Sequence, residues 1–162
     1  MRVWVVVVVV SLVLPSAAAA TFTFSVTTSS PVTAPTVTLS GDDQTKTFTI
    51  VTQVAYTGTG NTAGWKVTAA ATIPTSSTHT LPNLQVTAGT FACVSSCTTN
   101  PSPSGITYPI TLSTTAQKIY NASANTGRGT FSVTSTYQAA YPASAVVGTY
   151  SSTVTLTGST GP

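Results

Sequence analysis

Charge is what this 162-residue chain has least of: five lysines and arginines, two acidic residues and one histidine, with no glutamate. Each shortage excludes something. Beyond the first twenty residues the cations Lys46, Lys66, Lys118 and Arg128 are scattered rather than clustered. Phosphate backbones are met by patches of Lys and Arg, so nucleic acid is excluded as a partner. Asp42 and Asp43 adjoin each other in a Gly41-Asp42-Asp43 turn signal. Acid–base catalysis needs two ionisable groups facing one substrate from separate positions, and a calcium site takes about six to eight oxygens, so neither is expected. His79 stands in a polar stretch, and no nucleophile-elbow pattern surrounds any serine. The expectation is a non-enzymatic protein without metal or cofactor.

Long apolar runs are equally scarce. Val3–Leu14, interrupted by Ser11, follows Arg2 and precedes Pro15-Ser16-Ala17-Ala18-Ala19-Ala20. A short basic start, an apolar stretch and small residues at the cleavage positions form a secretory signal peptide. The run is shorter than the roughly 20 residues a spanning helix needs. Residues 1–20 are therefore expected to be a leader cleaved after Ala20, with Ala18 the alternative site, and 21–162 to be one secreted domain with no membrane span. No lipoprotein cysteine and no sorting motif is seen, so attachment to a surface is expected to be non-covalent.

What the chain does have is threonine, roughly a fifth of all residues and far above ordinary usage. The threonines alternate with apolar residues, and successive strand side chains point to opposite faces. Over Trp65–Ile73, the residues Trp65, Val67, Ala69, Ala71 and Ile73 share one face. Gly129–Tyr137 repeats the pattern through Phe131, Val133 and Tyr137. Phe48, Ile50, Val54 and Tyr56 do so upstream, and Tyr150, Val154 and Leu156 near the C-terminus. Shorter candidates are Thr21–Thr27, Thr36–Ser40, Leu84–Phe91 and Ile106–Leu112, separated by Gly-, Pro- and Asp-rich turns such as Gly58–Asn61. Without any helical period, this is the signature of an all-β, antiparallel β-sandwich of immunoglobulin-like architecture. Thr-x-Thr pairs recur at irregular intervals, which excludes a stacked solenoid.

Cys93 and Cys97 are the only cysteines, and an even count in an exported chain reads as a disulfide. Four fully extended steps would span about 13 Å, beyond disulfide reach, so the segment must turn back on itself. Closing so small a loop contributes about 2 kcal/mol in the chain-entropy model. Asn121-Ala122-Ser123 is a formal glycosylation sequon, relevant only in a host that uses such sites.

Two stretches carry a resemblance. Thr57–Thr68 contains a Gly-rich turn, then Gly64-Trp65, then Val67 two positions on. Val147–Leu156 contains Gly148-Thr149-Tyr150, a Thr-rich strand and Val154-Thr155-Leu156, followed by Gly161-Pro162. Together they resemble the two motifs of the WxL family of Gram-positive surface domains. Val67 stands in place of the first motif's usual leucine, and Val154 replaces the second tryptophan. The resemblance implies non-covalent binding to the cell wall, with peptidoglycan and other exported surface proteins as partners. It also implies ligand-binding roles for Trp65, Val67, Tyr150, Val154 and Leu156, the aromatic ones stacking on glycan rings beside polar contacts from Thr-rich sheet faces. Read from the residues alone, Trp65 heads the cleanest alternating strand and suits core packing; it anchors the sandwich, the binding surface or both. A second reading is a structural subunit of a surface fibre or coat assembled by β-strand pairing, with Thr21–Thr27 as donor.

Overall fold

Four alternating segments form the frame of the molecule. A computed structural model describes residues 21–57 and 62–162, together with the backbone of 5–12. The strands in chain order are β1 Val5–Leu12, β2 Thr21–Val26, β3 Gln44–Thr57, β4 Trp65–Ala71, β5 Thr75–Ser76 and β6 His79–Thr80. They continue with β7 Gln85–Thr99, β8 Ile110–Thr111, β9 Gln117–Ala122, β10 Arg128–Tyr141 and β11 Ser151–Thr160. No helix occurs among the described residues. The Gly58–Asn61 turn signal and the Ala18 and Ala20 cleavage positions lie outside the described residues.

One sheet runs β6-β5-β11-β4-β9, and the other β2-β3-β10-β7-β8. Within both orders every neighbouring pair is antiparallel. β1 lies parallel to β11. The sheets face each other as an all-β sandwich. Its core draws on both, with Phe24, Ile50, Val54, Phe131, Val133 and Tyr137 meeting Trp65, Val67, Ala69, Val154 and Leu156. The alternation read from the sequence is the alternation observed: β10 is buried at every second residue from Gly129 to Tyr141, and β4 from Trp65 to Ala71.

Departures from the sequence reading have local causes. β4 stops at Ala71, and Ile73, placed on the inner face by period, is 52% exposed ahead of Pro74. Thr36–Ser40 forms no strand, although Val37 is buried. Only Ile110–Thr111 of the expected Ile106–Leu112 strand pairs. β2 is hydrogen-bonded to β3 along its whole length, with Phe22 and Phe24 in the core, so this candidate donor segment is committed to its own sheet.

β7 is longer than expected because it continues through both cysteines. Opposite β10 its register slips around Thr130, and Ser96 takes a left-handed φ of 53°. Extra residues in a bulge shorten the strand's advance, bringing the Cys93 and Cys97 Cα atoms to 6.0 Å, and the disulfide forms.

Candidate functional site: the paired motif strands

The two motif stretches, far apart in the chain, become neighbours in one sheet. β4 and β11 run antiparallel with Trp65 opposite Thr160, Val67 opposite Gly158, Ala69 opposite Leu156 and Ala71 opposite Val154. The C-terminal residues close the arrangement: Gly161 N donates to Gly64 O at 3.0 Å, and Lys66 Nζ donates to Pro162 O at 3.5 Å.

Period two then divides the side chains between two faces. Inward go all five residues singled out from the sequence: Trp65, Val67, Val154 and Leu156 are fully buried, and Tyr150 is 1% exposed. Trp65 Nε1 donates to Gly127 O at 2.9 Å, and the indole stacks on Tyr120 with centroids 6.0 Å apart. Tyr150 Oη donates to Val146 O at 2.9 Å. These side chains offer no surface to a polymer in this structure; they bind the motif strands to the opposite sheet.

Outward go Lys66, Thr68, Ala70 and Thr72 from β4 and its end, beside Thr153, Thr155, Thr157 and Ser159 from β11. Thr68 lies opposite Thr157, Ala70 opposite Thr155, and Lys66 opposite Ser159. At the end of β4, Ala70, Ala71, Thr72, Thr153, Thr155 and Thr114 line a shallow hollow of about 120 Å³. Thr72 Oγ1 accepts from Thr153 N at 2.9 Å, and Ser152 Oγ donates to Thr72 O at 2.6 Å, which holds that corner in place. The face is a bed of hydroxyls, each donor and acceptor, flanked by one ammonium.

Glycines set the approach of β4 to its neighbours. Gly64 has φ +72°, and a Cβ there would stand 2.2 Å from Ala122 O. Gly127 has φ +69°, and a Cβ there would meet Ala122 Cβ at 2.5 Å and Trp65 Nε1 at 2.6 Å.

β9 was not legible in the sequence. Ile119, Tyr120, Asn121 and Ala122 are buried in succession, so no alternation marks the strand. One side faces the sandwich; the other lies under the 102–108 segment. Asn121 Oδ1 accepts from Ser104 N at 2.9 Å, Asn121 Nδ2 donates to Ser104 Oγ, and Tyr108 Oη donates to Ile119 O. The sequon asparagine is thus fully buried with both amide atoms bonded in the folded chain.

Burial shapes the tyrosines of this region. It pushes the Tyr120 hydroxyl up to about 12, with a smaller contribution from Tyr108, and raises Tyr108 and Tyr137 as well. An unfolded tyrosine titrates near 10, so a raised folded value stabilises the fold fully below pH ~10 and loses that contribution as pH rises through the folded value. The urea midpoint is expected to be unaffected by these groups up to about pH 10 and to fall between about pH 10 and 12. A tyrosine absorbance titration of the folded protein centred near 10 for every tyrosine would contradict this.

The remaining polar candidates are occupied or dispersed. Asp43 Oδ1 accepts from Ala143 N at 2.7 Å, Asp42 Oδ2 accepts from Ser40 Oγ at 3.2 Å, and His79 is exposed on β6. Among the described residues no three His, Cys, Asp or Glu side chains converge.

A family model described as WxL domain surface cell wall-binding matches residues 14–159. No curated protein and no solved structure matches the chain.

Proposed function

The chain belongs to the WxL family of surface cell-wall-binding domains, and on that premise we propose that it is exported and held non-covalently on peptidoglycan by the outward face of β4 and β11. One observation carries this reading: the two motif strands lie side by side, bury their apolar residues together, and turn a threonine-rich face outward, interrupted only by Ala70 and bordered by Lys66. Glycan hydroxyls, acetamido groups and peptide amides are uncharged donors and acceptors, which threonine hydroxyls match without desolvating a charge. Lys66 at the margin suits the carboxylates of wall peptides. The motif residues Trp65, Val67, Tyr150, Val154 and Leu156 act in this reading by fixing the strands beneath the face. Val154 in place of tryptophan keeps that role, since an inward position needs only apolar volume. The protein acts by binding rather than by catalysis, with no cofactor.

The test is co-sedimentation of the protein, recovered from a secreting Gram-positive host, with purified peptidoglycan. Thr155→Val combined with Thr157→Val removes two hydroxyls and keeps shape and strand preference. Two lost hydrogen bonds at about 1 kcal/mol each predict roughly 10- to 30-fold weaker retention with unfolding unchanged. Undiminished retention of the double variant would reject this face. Failure of the unsubstituted protein to sediment would reject the peptidoglycan reading itself.

A further inference from the structure

A strand presents hydrogen-bonding groups at two edges, and β11 uses only one of them within the sandwich. β4 and β5 share that edge, with Ala71 opposite Val154 and Thr75 opposite Ser151. Thr72 N donates to Thr153 O at 3.0 Å, so Thr153 and its alternates Thr155 and Thr157 direct their backbone groups towards β4. By alternation, the N–H and C=O groups of Ser152, Val154, Leu156 and Gly158 point to the opposite edge.

That edge is taken by β1. Val5–Leu12 lies parallel to β11 in unbroken register from Val5 opposite Ser151 to Leu12 opposite Gly158. It sits where the edges of the two sheets come together, since β2, the edge strand of the other sheet, contacts both β1 and β11. Edge strands are commonly guarded by charge or proline. Neither Ser151–Thr160 nor Thr21–Val26 contains either. The segment that fills the seam is the segment read from the sequence as a leader.

We infer that in the exported protein the outer edge of β11 accepts one extended, uncharged strand, rich in β-branched residues, from a partner polypeptide. The strand runs parallel to β11 in the place of Val5–Leu12. The occupant is a partner rather than a second copy, because each copy loses the matching segment with its own leader and keeps β2 paired to β3. Backbone hydrogen bonds supply the attachment, as in β-augmentation. The inference rests on removal of residues 1–20 and not on the polymer met by the threonine face.

The probe is a fluorescein-labelled peptide of the Val5–Leu12 sequence flanked by lysines for solubility. It is titrated by anisotropy into the exported protein, whose N-terminus is read by mass spectrometry. A control peptide carries Val8→Pro and Val9→Pro; one of the two lost N–H groups must face β11. The exported protein should bind the first peptide at least about tenfold more tightly than the control. It should also bind at least about tenfold more tightly than the unprocessed full-length chain, whose edge is filled. On binding, amide exchange should slow at Ser152, Val154, Leu156 and Gly158. Absence of binding, equal binding of the proline peptide, equal binding by the full-length chain, or an exported protein that retains residues 1–20 overturns the inference. Self-association of the exported protein that the peptide competes away would assign the edge to a second copy and overturn it equally. Peptidoglycan sedimentation is read separately, so either proposal can fail alone.

Discussion

Trp65→Ala is expected to destabilise the fold by about 3–5 kcal/mol, the range for removing a large aromatic side chain from a packed core. Its side chain is wholly buried, stacked on Tyr120 and hydrogen-bonded to Gly127 O. Removal empties the volume between β4, β9 and the Gly127 turn and leaves a buried carbonyl without its donor. For a domain of this size the melting temperature should fall on the order of 10 °C. Trp65→Phe keeps much of the apolar contact and loses the N–H, so its cost should be smaller, about 1–3 kcal/mol for the unpaired carbonyl. Urea denaturation followed by circular dichroism measures both. A loss below about 1 kcal/mol for the alanine variant would mean that the indole is not the core anchor described here. Peptidoglycan retention by folded Trp65→Phe decides between frame and contact: retention at the unsubstituted level fits a buried frame, and its loss would require the indole to reach the polymer.

Gly64→Ala should cost on the order of 3 kcal/mol, from two independent sources. A φ of +72° is the left-handed region, where a residue with a Cβ pays roughly 1–2 kcal/mol. The added methyl would also stand 2.2 Å from Ala122 O and 2.7 Å from Ser123 O, both backbone atoms. β9 must then move away from β4, an overpacking strain of about 1–3 kcal/mol. Gly41→Ala separates the two sources. Gly41 has φ +88° with nothing within 4 Å of the added carbon, so only the conformational cost of about 1–2 kcal/mol applies. Similar losses in the two variants would show that the close approach of β4 to β9 is not what requires the glycine. The glycine of the first motif is thus explained by its own torsion and by the strand it touches, and its carbonyl accepts from Gly161 N at the chain's other end.

The strands that bury one face were legible in the sequence, and those in other settings were not. Phe48, Ile50, Val54 and Tyr56 on β3, like Phe131, Val133 and Tyr137 on β10, announced themselves by alternation and lie where alternation put them. β9 carries no such pattern, because the 102–108 segment covers its outer side and both faces need residues that tolerate burial. Thr36–Ser40 looked like a strand by composition, yet β-propensity reports fit to a half-buried pleated surface and not to the backbone itself. The cysteines were legible as a pair that must fold back, though the device is a bulge inside a strand rather than a turn between strands.

The candidate site divides in the same way. The resemblance singled out Trp65, Val67, Tyr150, Val154 and Leu156, and periodicity assigned them one shared face per strand. Whether that face looked at a ligand or at another sheet is decided by what lies above it, and no local pattern carries that. Sequence alone sufficed for the all-β class, the inward and outward residues of the alternating strands, and the covalent staple, because a side-chain period of two and a five-residue loop are local properties. That β4 and β11 are neighbours, that both motifs point into the core with threonine hydroxyls on the outside, and that the second edge of β11 is met by Val5–Leu12 was settled by the tertiary structure alone. Strand pairing runs through backbone groups that every residue shares, so its partners are selected by packing between distant segments rather than by any sequence signal.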